Sequence, residues 1–354
     1  MDDSRSLLLD TAGRLFAELR ETPDDADAAW QRVAELGLPL ALVDEAHGGF
    51  DLPVADALAV VRLAGQYALA APLGEALLAN RLLAEAGADI AEGRPTLAVA
   101  DPHSPLTLNR EGDRWRVHGR LPAAPWVEHA EVVVTIARHD RQNRLLLLDP
   151  DSLAATPGTN LADQPRTDLT LDLDLDNHRV RELPETLGAE WLFESGALLR
   201  CQEIAGALAT VLDMTVQYAS ERVQFGKPIA RQQAIQQQLA VLATQAAIAA
   251  GAADMAVDAF HDPRRHALIA AAKARCGEAA GQALAIAHQV HGAIGITREY
   301  RLNLYSRRLW SWRDEFGSER YWQARLGEQV LARGADGLWP FITELGGSTE
   351  GARQ

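Results

Sequence analysis

The sequence predicts an α+β chain, mainly helical, with helical domains at both ends and a small β domain between them. Three observations predict it. Apolar residues recur at helical spacing through roughly the first ninety positions, the period then switches to strand-like alternation, and from Ala189 helical spacing returns and holds nearly to the end. The boundaries that follow are an N-terminal helical domain over 1–93, a middle β domain over 94–186, a C-terminal four-helix bundle over 187–345 and a tail over 346–354.

Taken in order, Ser4 to Leu19 reads as an amphipathic helix, with Leu7, Leu8, Ala12, Leu15, Phe16 and Leu19 on one face. Glu21 to Ala28 is a polar link whose acids suit the helix start that follows. Ala29 to Leu36 is a short helix closed by Gly37. Gly48 and Gly49 make a turn, and Pro53 opens the helix Val54 to Tyr67. Pro72 separates it from the helix Leu73 to Ala86, and Gly87 to Pro95 links to the strands.

Strands are expected at Thr96–Ala100, Leu106–Asn109, Arg114–Val117, Val132–Ala137, Arg144–Leu148 and Thr170–Leu175. Leu169 to Asp176, LTLDLDLD, alternates strictly, so one face is buried and the acids are solvated. That alternation accounts for these acids without a metal ion. Helices then run over about 189–223, 230–259, 264–289 and 317–334, and Gly346 to Gln354 is a frayed tail.

Composition excludes several functions. A net charge of −15 leaves no basic surface to replace the counterions of nucleic acid. No apolar run is read as long enough to span a bilayer, and the start of the chain lacks signal-peptide character, so a cytoplasmic protein is expected. The two cysteines, Cys201 and Cys276, fall in predicted helices and read as buried thiols. No metal-ligand spacing of the C-x-x-C or H-E-x-x-H kind is present.

The chain is organised around Tyr218 to Gln233, YASERVQFGKPIARQQ, where one helix ends near Gly226 and Pro228 forbids its continuation. Arg222, Gln224 and Phe225 sit together at this break. A guanidinium there can grip a phosphate through two N–H groups, and a ring can cover a flat base. The same residues also suit an ordinary helical hairpin with a surface arginine.

The segment resembles the R-x-Q-F-G-x-x-I-x-x-x-Q-A-I motif of the acyl-CoA dehydrogenases. Gln289 to Leu302, QVHGAIGITREYRL, is similar to that family's Q-x-x-G-G-x-G-[FY] turn, and Trp30 to Pro53 to its N-terminal W-x-x-L-A-E-L-G-L block. Three blocks in the right order are more specific than any one. The resemblance implies FAD, an acyl-CoA substrate and an electron-accepting flavoprotein as partner. It also implies a reaction in which a carboxylate takes the α proton and the β hydrogen leaves as hydride to flavin. Carried over by motif, Arg222, Gln224, Phe225, Gln233, Gln289, Gly292, Ala293, Gly295 and Ser318 would contact FAD, most of them across a subunit interface; Ala293 replaces the usual glycine.

The resemblance fails where the chain's own flavin and base should lie. Aligning Gly317-Ser318 with the family's Y-E-G-T puts Phe316 at the base position, with Glu315 one residue early as the sole nearby candidate. The family's other base position falls at about Gly196, with Glu194 out of register. Asp314 and Glu315 also suit a helix start, or pairing with Arg307, Arg308 and Arg313. The middle domain lacks the T-E-P-x-A-G-S-D segment, and Trp126 is either a flavin neighbour or core. Trp310 and Trp312 are expected at an interface or cleft. What is retained serves a neighbour's flavin and what is lost serves the chain's own. The resemblance thus implies one subunit of a heteromeric enzyme, of the kind acting on steroids, with a self-sufficient homo-oligomer using a displaced carboxylate as the alternative.

Overall fold

The computed structural model describes residues 2–20 and 25–347. The expected link residues 21–24 and tail residues 348–354 lie outside the described residues. Four helices come first: α1 (Asp2–Leu19), α2 (Ala26–Glu35), α3 (Val54–Tyr67) and α4 (Leu73–Glu85). Asp25 caps α2 by accepting from the Ala28 amide at 2.9 Å, and Gly37 follows in the left-handed region.

The middle domain is an eight-stranded sheet, with β1 at Pro95–Leu97, β2 at Thr107–Glu111, β3 at Arg114–Pro125 and β4 at Val132–His139. It continues through β5 (Gln142–Leu148), β6 (Ala154–Thr159), β7 (Pro165–Asp176) and β8 (Val180–Glu182). The order is β6-β7-β3-β2-β4-β5-β8, and β1 pairs in parallel with β4. Strand β4 is buried from Val132 to Ala137, and apolar there except at Thr135, because both faces are covered. Val132, Val134 and Ile136 join the core shared with the helices, while Val133 and Ala137 join the domain's own core around Trp115 and Val117. On β7 the acids point outward as alternation requires, and Arg116 pairs with Asp172 and Asp174 at 2.6 and 3.3 Å.

The C-terminal part is built on α5 (Ala189–Glu221), α6 (Gln233–Asp258) and α7 (Arg265–His291), followed by α8 (Arg301–Asp314), α9 (Glu319–Arg333) and α10 (Leu338–Gly346). Between α5 and α6 a hairpin forms from β9 (Val223–Gln224) and β10 (Lys227–Pro228). Helix α5 has 33 residues, about 50 Å at 1.5 Å per residue, and is the axis on which the other domains pack. Helices α3 and α5 cross at two glycines. A Cβ on Gly65 would lie 2.2 Å from the Glu203 carbonyl oxygen, and one on Gly206 would lie 2.0 Å from that of Arg62. Backbone contact at that distance tolerates no side chain.

Two sequence expectations are corrected here. Helix α8 was missed as a separate element. Helix α6 is long and apolar enough to cross a membrane by length and composition, with a mean hydropathy of 1.5, although no such run was expected. It is alanine-rich and packs between α5 and α7 through Leu242, Ala249 and Ala253. Both cysteines are free and buried.

Candidate active site

A cavity of about 710 Å³ lies between the middle domain and the C-terminal helices. Its sheet side presents Leu97, Val99, Ala124 and Pro125, with Asn160 and Arg166 beside them. Its helical side carries Phe193 and Arg200 of α5, then Glu315, Phe316 and Gly317 of the loop between α8 and α9.

That loop is held by its backbone. The buried Lys273 ammonium donates to the carbonyl oxygens of Arg313 at 2.7 Å and Gly317 at 2.9 Å, and the Trp322 indole N–H donates to that of Phe316 at 3.0 Å. These bonds fix Phe316 at a φ of 53°, an uncommon conformation for a side chain of its size. The Phe316 ring is thereby turned onto α5. A Cβ built on Gly196 would lie 2.3 Å from it. The two positions at which the resemblance places a catalytic carboxylate therefore face each other, and one phenyl ring fills both. Phe193 packs edge-on to that ring at 6.3 Å, and the Arg200 guanidinium lies 5.4 Å from its centre, so the ring has little room to yield.

This contact gives a direct prediction. In an open helix Gly→Ala is favourable by about 1 kcal/mol. Here overpacking wins, and Gly196→Ala should lower stability by about 1–3 kcal/mol in thermal unfolding. Adding Phe316→Ala should recover much of that loss, and a double mutant no more stable than the sum of the singles would show that the ring is not the obstacle.

Glu315 is held by three partners. Its Oε1 accepts from Arg166 Nη2 at 2.8 Å, Arg166 Nε at 3.1 Å and Asn160 Nδ2 at 2.9 Å. Its Oε2 accepts from Arg200 Nε at 2.7 Å. Arg200 in turn donates to Glu75 of α4 and Glu203 of α5, each at 2.5 Å. Burial alone pushes the Glu315 carboxyl up, but Arg166 and Arg200 with Asn160 override it and hold it at about 2. A carboxylate with that affinity for protons, and with both oxygens engaged, is a poor general base. Burial, with Glu75 and Glu315 nearby, raises Glu203 to about 7 despite Arg200.

The bland reading of these acids also needs correction. Glu315 pairs across domains, whereas Arg307 binds Asp163, Arg308 donates to the Leu69 carbonyl oxygen and Arg313 binds Glu319. Glu194 points away from the cavity, to Arg265 at 2.8 Å and His266 at 2.5 Å. Trp126 is buried beside His129 and does not line the cavity. Trp312 is core, while Trp310 is 39 % exposed and stacks on His288.

The motif residues gather elsewhere. Arg222 caps α5, and its carbonyl oxygen accepts from the Ile229 amide at 2.8 Å, which closes the hairpin. Phe225 and Gly226 form its tip at positive φ, and the Phe225 ring is 93 % exposed. Ala219, Ile229 and Val290 pack together, and Tyr218 stacks on His291 at 4.5 Å. These contacts set the Gly292–Ile296 turn beside the hairpin. Gln224, Gln233, Gln289 and Ala293 are exposed there, as is Gly292, at a φ of 64° with open space where a Cβ would stand. Gly295 is buried against Leu302 and His288. Ser318 instead caps α9, its hydroxyl accepting from the Tyr321 amide at 3.5 Å. The result is an exposed edge that carries the Arg222 guanidinium, three glutamine side chains and one bare ring.

Residues 188–321 match the sequence family described as acyl-CoA dehydrogenase, C-terminal domain. The chain is 29% identical over 283 residues to acyl-CoA dehydrogenase IpdE2 of Mycobacterium tuberculosis, covering 80% of each protein. It is 27% identical over 344 residues to IpdE2 of Mycolicibacterium smegmatis, covering 94% of this chain and 100% of that one. Among solved structures it is similar to a variant of the Tcur3481-Tcur3483 steroid ACAD, with a TM-score of 0.81, 24% identity and coverage of 95% and 99% of the two chains. The ChsE4-ChsE5 complex from Mycobacterium tuberculosis gives 0.77 at 20% identity, covering 92% and 97%.

Proposed function

We propose that the chain is a member of the acyl-CoA dehydrogenase family and, within it, one subunit of a heteromeric acyl-CoA dehydrogenase. In this reading it completes the FAD site of a second, family-like chain, while its own cleft abstracts no proton. The observation that carries the reading is the Phe316 ring, seated against Gly196 so that neither position for a base holds a carboxylate.

The exposed edge supports the other half of the proposal. Arg222 has no side-chain partner among the described residues, so its fork of donors is free for a pyrophosphate. Phe225 would cover the adenine end, and Gln289 with the Gly292–Gly295 turn would add side-chain and backbone hydrogen bonds. FAD, when bound there, supplies the redox chemistry, and this chain supplies position and charge. The substrate is an acyl-CoA thioester, and the name of one solved relative, a steroid ACAD, supports a steroid-derived acyl group. An electron-accepting flavoprotein would reoxidise the complex, and a cytoplasmic site of action fits this family reading.

The test is Arg222→Ala in the purified complex. Flavin content should fall several-fold while helical circular dichroism stays unchanged. Undiminished flavin occupancy would remove Arg222 from the site.

A further inference from the structure

A second concave site lies apart from the first and shares none of its lining residues. It is a polar cleft of about 590 Å³ between the end of α4 and the rim of the sheet. Arg110 of β2, Trp115 of β3, Arg144 of β5, Asn177 and Arg181 of β8 line it, together with Glu85 and Glu182. The Trp115 indole is the fixed part. It is 5% exposed, and its N–H donates to Asn177 Oδ1 at 2.9 Å. The guanidinium carbons of Arg110 and Arg144 lie 5.6 and 5.4 Å from its ring centre, so the indole orients both.

Both acids are already matched. Glu182 pairs with Arg144 at 2.7 Å, and Glu85 with Arg81 at 3.2 Å. Arg110 and Arg181 are not matched. Arg110 donates from Nε to the Gly112 carbonyl oxygen at 3.3 Å and has no ion pair among the described residues. The Arg181 side chain has neither hydrogen bond nor ion pair among them, and its Nε is buried with no acceptor. The buried Arg144 Nε also lacks one, since Glu182 and Gln142 take its terminal nitrogens. A buried donor without an acceptor is costly. Acids are plentiful on a chain of net charge −15, and Arg116 on the same sheet has two of them. Two unmatched guanidiniums in one concavity therefore stand out.

We propose that this cleft binds a phosphate group, either inorganic phosphate or the end of a phosphomonoester. Planar guanidinium forks match phosphate oxygens two at a time. A phosphate near neutral pH carries a charge of about −1.5 to −2, close to that of the two unmatched guanidiniums, where a carboxylate would offset one. The cleft is independent of the FAD-binding edge.

The experiment is isothermal titration of the full chain with inorganic phosphate and, separately, glycerol 3-phosphate, at constant ionic strength set with chloride. At least one should bind saturably at a single site, and the tighter of the two identifies the source of the phosphate. Arg181→Ala and Arg110→Gln, both of side chains reaching solvent, should each weaken binding at least tenfold. Arg222→Ala should leave it unchanged. The proposal is overturned if neither ligand gives a saturable heat, if both cleft variants bind like the parent, or if Arg222→Ala abolishes binding.

Discussion

Purified by itself, this chain should show acyl-CoA-dependent dye reduction more than about 100-fold below that of the same chain purified with its partner, since a general base contributes 10²–10⁴-fold. Bound FAD should also be well below one per chain. The expectation rests on opposing features of one molecule. Phe316 cannot accept a proton, and the loop holding it is tied down by Lys273 and Trp322. Glu315, one residue away, is committed to Arg166 and Arg200. A homodimer would pair two clefts that each lack a base, whereas a second chain with an intact cleft needs only the Arg222 edge. Phe316→Glu should not restore turnover to the single chain. Arg200 lies 5.4 Å from the ring that the new carboxylate would replace, and an ion pair would hold the carboxyl well below the range useful for a base. Stoichiometric FAD with full turnover from the chain alone would overturn the heteromeric reading and return the search for a base to this cleft.

The legibility of the fold follows how each element is buried. Helix α3 was placed to the residue at Val54–Tyr67 because Leu58, Val61 and Gly65 repeat at helical spacing between proline and a turn. Strands β4 and β5 were found because apolar β-branched and leucine runs have few other readings. Strand β6, AATPGT, was missed: it is an edge strand, exposed along its whole length, so it needs no apolar alternation. Helix α8 was hidden by its four arginines, although Leu302, Tyr305, Leu309 and Trp312 mark its buried face. The candidate site can be read from sequence only in its local parts. The hairpin and the glycine turn lie within single segments, and the structure sets them side by side. The charged cluster draws Glu75, Arg166, Arg200 and Glu315 from four distant segments, and pairing across such separations leaves no spacing to read. One signal was available, since Arg200 interrupts the apolar run Leu198, Leu199, Cys201, Ile204 in the middle of a buried helix.

Glu315→Gln should be among the most destabilising single changes in the chain, by about 3–5 kcal/mol near pH 6, because it leaves Arg166 and Arg200 buried without their shared counter-charge. Their side chains are 7% and 2% exposed, so water cannot take its place. The effect should depend on pH with a definite sign. Glu315 is held at about 2 against an ordinary 4.5, so its contribution is fully present above 4.5 and fades as pH falls from there toward 2. That shift corresponds to about 3 kcal/mol, in line with the cost of removing the partner. Glu203 runs the other way: raised to about 7, its contribution is fully present below 4.5 and is lost as pH rises through 7. The cluster is therefore most stabilising near about pH 4.5, where Glu315 is already charged and Glu203 is still protonated. Thermal unfolding of the parent and of Glu315→Gln, followed by circular dichroism from roughly pH 3 to pH 8, reads both slopes. The gap between the two proteins should be full above about pH 4.5 and should narrow as pH falls below it, where the parent loses the charge that the variant never had. A variant as stable as the parent at every pH, yet without turnover in the intact complex, would mean that Glu315 acts on the substrate rather than holding the three domains together.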